Sequence, residues 1–285
     1  MDRILAQMMV WYGTHRRRTN LRRTPENFGL EYRTVTFPSA GDDQVALSGW
    51  IVPAKAPKAV VLVCHGVDSG AQAMLPKAAM LQRRGYTSIL FDFRGVGRSG
   101  GDYVTLGYRE RDDVLGALEF AASCPELRGL PIFAIGESMG GAAVIRAAAA
   151  DERIRAIVSE STYATLNDAL CQRLKPLGPL SKHVARHCQR IGAERYQIDI
   201  ADVSPERDIA TMSPRPLLFI HDQLDIMCPR AETDRLFRAA KPPKERWDVP
   251  YAPHTFAYFV APREYEARVV DFLDRASDLK ARAAA

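Results

Sequence analysis

Gly136-Glu137-Ser138-Met139-Gly140 constrains this chain more than any other stretch in it. An apolar run, Leu130-Pro131-Ile132-Phe133-Ala134-Ile135, leads in. An alanine-rich run from Ala142 to Ala150 leads out. The first is short and partly β-branched and reads as a buried strand; the second has high helix propensity. A serine on a tight turn between strand and helix takes strained backbone angles. Glycines two before and two after it let strand and helix approach without side-chain clash. The reading therefore puts the hydroxyl exposed at a sheet edge, with a helix N-terminus beneath it that favours developing negative charge.

The rhythm around that turn sets the fold class. From Ala59 the chain repeats strand, loop, helix: strands at Ala59–Cys64, Thr87–Phe93, Ile154–Glu160, Pro216–Ile220 and Lys244–Val249, with helices at about Met74–Arg84, Tyr108–Ala122, Arg230–Ala240 and Pro262–Ala276. Continuous apolar strands alternating with helices predict an α/β fold, a mostly parallel sheet with helices on both faces, whose ligands bind at the carboxyl ends of the strands. Tyr32–Phe37 and Val45–Val52 alternate as an antiparallel hairpin at one edge, where Trp50 packs. Residues 163–205 break the rhythm with two amphipathic stretches, Leu166–Leu174 and Lys182–Ile191, split by Lys175-Pro176-Leu177-Gly178-Pro179. The division expected is an N-terminal basic amphipathic segment (residues 1–29), a core (residues 30–162 and 206–285) and a helical cap insertion (residues 163–205).

Serine chemistry needs a base, a group to fix that base, and donors for an oxyanion. His254 lies in the loop after the last strand, and Asp225 follows the strand before it, giving the chain order Ser138, Asp225, His254. Glu160 and Asp222, at neighbouring strand ends, are rivals for the acid; Asp225 is favoured by its place a few residues past its strand. His65 reads as structural, and Cys64 as core. His183, His187 and Cys188 lack a third ligand at useful spacing, so no metal site is expected. Gly95-Val96-Gly97-Arg98-Ser99-Gly100 matches a dinucleotide fingerprint but does not run straight into a helix, which makes it a glycine-rich turn at the site's rim.

With these motifs in view, the chain resembles the α/β-hydrolase superfamily of serine hydrolases, nearest to esterase- and lysophospholipase-like branches with a short helical cap. His65-Gly66, Asp92-Phe93-Arg94-Gly95-Val96-Gly97-Arg98-Ser99, the serine turn and the Asp225/His254 pair carry the resemblance over about residues 30–275. It implies an eight-stranded sheet, hydrolysis of acyl or lipid-like esters through an acyl-enzyme on Ser138, and no cofactor. It also places the oxyanion hole at the backbone N–H groups of Val67 and Met139. An aminopeptidase or acyl-peptide hydrolase on the same scaffold is the alternative enzyme; a non-catalytic lipid-surface binding protein is the alternative of another kind.

Composition narrows the partners. The net charge is +5, and residues 1–23 hold Arg3, Arg16, Arg17, Arg18, Arg22 and Arg23 against Asp2 alone. The remainder is balanced, so nothing points to nucleic acid. In that segment Ile4, Met8, Trp11 and Tyr12 share a helical face, which suits either peripheral contact with a membrane or a surface helix packing on the domain; packing is favoured. The apolar part is too short, and interrupted by Gln7, for a secretory signal. Five scattered cysteines without a CxxC suggest a reducing, cytoplasmic setting, with membrane association through residues 1–23 left open. The cap offers Leu166, Leu170, Leu174, Leu177, Leu180 and Val184, and Tyr163, Tyr251, Phe256 and Tyr258 are further candidates to line an acyl cleft. Arg173, Lys175, Lys182, Arg186 and Arg190 are bases that could meet an anionic head group.

Overall fold

Five of the eight strands are the short apolar runs of the βα rhythm, and nearly all their residues are buried because helices cover both faces of the sheet. The structure, a computed structural model, describes residues 2–15, 23–212 and 214–283. Arg16, Arg17, Arg18 and Arg22 of the basic segment lie outside the described residues. In chain order the elements are α1 (Asp2–Thr14), β1 (Arg33–Pro38), β2 (Ala46–Val52), β3 (Ala59–Cys64), α2 (Leu75–Arg83), β4 (Tyr86–Phe91), α3 (Glu110–Ser123), β5 (Ile132–Glu137), α4 (Met139–Ala150) and β6 (Ile154–Glu160). Then follow α5 (Leu166–Leu174), α6 (Ser181–Tyr196), α7 (Pro205–Ile209), β7 (Leu217–Asp222), α8 (Arg230–Ala239), β8 (Lys244–Val249), α9 (Ala257–Val260) and α10 (Pro262–Ala283).

The strands form the expected eight-stranded sheet in the order β1-β2-β4-β3-β5-β6-β7-β8. β2 runs antiparallel to both its neighbours, and β4, β3, β5, β6, β7 and β8 are parallel. Alternation along the strands splits the core in two. Val60, Leu62 and Cys64 face one layer with Val114, Leu118 and Val144 of α3 and α4. Val61 and Val63 face the other with Leu81 of α2 and Val269 and Phe272 of α10. Trp50 is buried on β2 as expected.

Small side chains let α4 sit deep: Met139 to Ala148 are all buried. Its one charge, Arg146, is buried too. It donates to the carbonyls of Gly107 and Tyr108 and pairs with Asp202 and Asp208. A buried guanidinium is tolerable only with its donors occupied, and here they fasten α4 to the loop before α3 and the connection after α6.

Helices α5 and α6, followed by the short α7, stand between β6 and β7. Against α5 and α6 packs α1, which puts Leu5, Ala6, Met9 and Val10 onto Leu174, Val184, Ala185 and Cys188. The face anticipated from the sequence is the other one: Ile4, Met8, Trp11 and Tyr12 are exposed. No helix among the described residues is long and apolar enough to cross a membrane.

Candidate active site

Ser138 sits between β5 and α4 at φ 53°, ψ −118°, a conformation L-residues seldom adopt and one that marks functional turns. Close approach explains the flanking glycines. A Cβ at Gly136 would meet Gly140 O at 2.5 Å, and one at Gly140 would meet the carbonyl oxygens of Cys64 and His65 at 2.5 Å. The turn is tied to β6 by Ser138 N donating to Glu160 O at 2.9 Å.

The three scattered residues meet. Ser138 Oγ donates to His254 Nε2 at 3.0 Å, and His254 Nδ1 donates to Asp225 Oδ2 at 2.7 Å. The carboxylate partner on Nδ1 places the proton there and leaves Nε2 free to accept. Asp225 is itself held: its Oδ1 accepts from Met227 N and Cys228 N, each at 2.8 Å. These backbone bonds stabilise the ionised carboxylate and fix its direction. Thr255, next to His254, has φ 61°, a second strained residue at the site.

Of the rivals, neither Glu160 nor Asp222 touches His254. Both belong to a buried network under the turn. Lys77 of α2 lies between Glu137 and Glu160, at 2.7 Å from Glu160 Oε2. Glu160 also accepts from Ala257 N and Tyr265 Oη. One ammonium cannot neutralise two buried carboxylates. Lys77 is accordingly held well above its usual range, burial opposing its charge and both glutamates outweighing that, while burial pushes Glu137 up to about 7. Asp222 Oδ2 accepts from Ser161 Oγ at 2.8 Å and from Phe256 N at 3.2 Å. The network therefore joins the turn of Ser138 to the loop of His254.

Val67 and Met139, the expected oxyanion donors, both line the cavity that contains Ser138. Met139 opens α4, where the first N–H groups have no partner within the helix. The loop of Val67 is fixed by His65, whose Nδ1 donates to Gly66 O at 2.7 Å and whose Nε2 accepts from Phe93 N at 3.0 Å. Both nitrogens are used and burial lowers its basicity, so His65 is a neutral structural group. The glycine-rich Asp92–Gly101 stretch is a turn, as expected, but none of its residues lines the cavity: Asp92 accepts from Ala71 N and Arg98 N, and α3 begins only at Glu110.

Ser138 is 5% exposed, not open to bulk solvent as the sequence suggests. It faces a cavity of about 460 Å³ roofed by α5, α6 and α1. Leu166 and Leu170 line it as anticipated. Leu174 and Val184 instead pack on α1, and Leu180 is exposed. Tyr163 lines the cavity; Tyr251, Phe256 and Tyr258 do not, and Met8, Met9 and Tyr12 of α1 take their place. Cavities of this size and apolar lining suit small organic ligands. A larger depression of about 580 Å³ beside Tyr108, Gln189 and Asp199 holds none of the Ser138 group, so the chemistry points to the smaller one. Asp225, Cys228 and His254 bring donor atoms within 4.8 Å of one another. The trio is a poor metal site: burial keeps the Cys228 thiol protonated, and both imidazole nitrogens are spent on Asp225 and Ser138.

With this geometry goes a family. Residues 55–208 match the family described as serine aminopeptidase, S33. The chain belongs to that family of α/β-hydrolases. The uncharacterized protein YfhR of Escherichia coli is 27% identical over 239 residues, 81% of this chain and 77% of YfhR. The uncharacterized protein YqkD of Bacillus subtilis is 26% identical over 257 residues, 87% and 81% of the two chains. Among solved structures, a Pyrococcus furiosus esterase superposes with a TM-score of 0.76 at 26% identity, covering 92% of this chain and 97% of the esterase. As a member of the S33 family the protein is a hydrolase.

Proposed function

We propose that this hydrolase cleaves carboxylic esters of apolar acyl groups through an acyl-enzyme on Ser138. The observation that carries the reading is the unbroken hydrogen-bond chain Ser138–His254–Asp225, whose serine end lines an apolar cavity. Ser138 Oγ attacks the acyl carbonyl carbon as its proton passes to His254 Nε2, while Asp225 holds the imidazolium. The N–H groups of Val67 and Met139 receive the oxyanion. Collapse breaks the carbon–oxygen bond to the alcohol, which leaves with the proton from His254. Water then repeats the sequence and frees the acid.

A second reading, removal of an amino-terminal residue from a peptide, is favoured by the family's description as serine aminopeptidase. Charge argues against it. Among the described residues lining the cavity Arg173 is the only charged side chain, and it has the same sign as a free α-ammonium. The likeness to a protein named an esterase supports the ester.

The test sets p-nitrophenyl esters of increasing chain length against aminoacyl p-nitroanilides, with wild type and Ser138→Ala. Ester turnover should dominate, and Ser138→Ala should lower it by about 10³-fold or more. Equal turnover by the two proteins removes Ser138 from the chemistry; faster anilide turnover replaces the ester with the amide.

A further inference from the structure

We propose that Arg173 recognises an anionic group on the substrate, which is then an apolar ester carrying one carboxylate or phosphate besides the bond that is cut. The proposal rests on the reading of Ser138 as the nucleophile of this cavity and names the substrate class for it.

The wall of the cavity is apolar, and its polar side chains are almost all occupied. Thr14 Oγ1 donates to Val10 O at 2.7 Å, and Tyr163 Oη donates to Leu106 O at 2.7 Å. Cys188 Sγ lies 3.9 Å from Ala6 O, and Ser138 is engaged with His254. Arg173 differs: its side chain, exposed at the cavity's edge, makes no hydrogen bond or ion pair with any described residue. Exposed Arg186 and Arg190 of α6 are likewise unpaired but lie off the cavity, whereas Arg235 pairs with Asp168 and Glu206 and Arg146 with Asp202 and Asp208. Arg173 fastens nothing.

Its backbone is nevertheless held over the site. Arg173 is in the last turn of α5, and the preceding residue, Gln172, donates through Nε2 to Ile226 O at 3.1 Å. Ile226 follows Asp225 directly, so this turn is moored to the loop that carries the acid. Burial holds the Tyr163 hydroxyl and the Cys228 thiol protonated, and the guanidinium's charge offsets that only slightly at both. A planar fork of donors beside apolar walls is suited to a carboxylate or phosphate, which it binds by charge-assisted hydrogen bonds. The other cap bases named from the sequence, Lys175, Lys182, Arg186 and Arg190, do not line the cavity.

The experiment compares matched pairs in two arms. The first places the anion on the acyl side: the p-nitrophenyl hemiester of suberic acid against p-nitrophenyl octanoate. The second places it on the alcohol side: a lysophosphatidate against the monoacylglycerol of the same chain. Wild-type kcat/KM should favour the anionic member by about 10-fold in one arm, which identifies the source of the anion. Arg173→Met should erase that ratio, Arg173→Lys should keep part of it, and Arg173→Glu should invert it. Absence of a preference in both arms, or its survival in Arg173→Met, overturns the proposal. Calorimetric titration of Ser138→Ala with the same pairs separates it from the hydrolase reading. Anion discrimination in binding without any turnover by wild type defeats the hydrolase reading and keeps Arg173; turnover without discrimination does the reverse.

Discussion

At the scale of single residues, Asp222 shows how burial sets a pH dependence. It is fully buried, and its Oδ1 has no hydrogen-bond partner among the described residues. Burial first, then the nearby Glu160 charge, push its carboxyl up to about 8. In the unfolded chain the group titrates near 3.9. Between those values the folded state holds a proton that the unfolded state releases, so stability falls as pH rises through about 4 to 8 and is level above. Asp222→Asn carries no charge at any pH. Its melting temperature relative to wild type should climb from pH 5 to pH 8, by the equivalent of about 1–3 kcal/mol; parallel curves for the two proteins would show that Asp222 ionises freely in the fold. Sequence reasoning reached Asp225 over this neighbour from its place a few residues past the strand end; in the structure the strand runs on to include Asp222. It could not see what Asp222 and Glu160 do instead. Their partners, Lys77, the adjacent pair Phe256 and Ala257, and Tyr265, come from three separate stretches of the chain.

At the scale of elements, the strand–turn–helix around Ser138 was legible because the signal is local: close packing there admits glycine and little else. The N-terminal helix was legible as a helix but not in its facing. Both of its sides are apolar, and packing against α6 selected Leu5, Ala6, Met9 and Val10. That choice depends on a partner about 180 residues away, which no periodicity encodes. It leaves Ile4, Met8, Trp11 and Tyr12 exposed, Met8 and Tyr12 beside the cavity, and close in sequence to the arginines. The expected outcome is peripheral binding to an anionic lipid surface. Trp11 is 57% exposed while Trp50 and Trp247 are buried, so a spectral change reports α1. Anionic vesicles should move the emission to the blue and zwitterionic ones much less. No shift with either contradicts the expectation, and a shift produced by raising protein concentration alone assigns the face to a second copy of the chain.

At the scale of the whole molecule, order along the chain was the informative quantity. Parallel strands put all their carboxyl ends on one edge, so the loops after β3, β5, β7 and β8 had to converge there whatever their sequences. That geometry brings Val67, Ser138, Asp225 and His254 to one place. The lid over them was only half legible. The two helices of residues 163–205 were visible from their amphipathic spacing, but the third wall comes from α1, at the opposite end of the sequence. The central claim, that Ser138 is a nucleophile activated by His254, is tested most directly by covalent capture. Wild type, Ser138→Ala and His254→Ala are incubated with an alkyl fluorophosphonate, and intact mass and the modified peptide are read. The account predicts one adduct on wild type, located at Ser138, absent from Ser138→Ala and formed about 10³-fold more slowly by His254→Ala. An adduct elsewhere, none at all, or equal labelling of wild type and Ser138→Ala would contradict it.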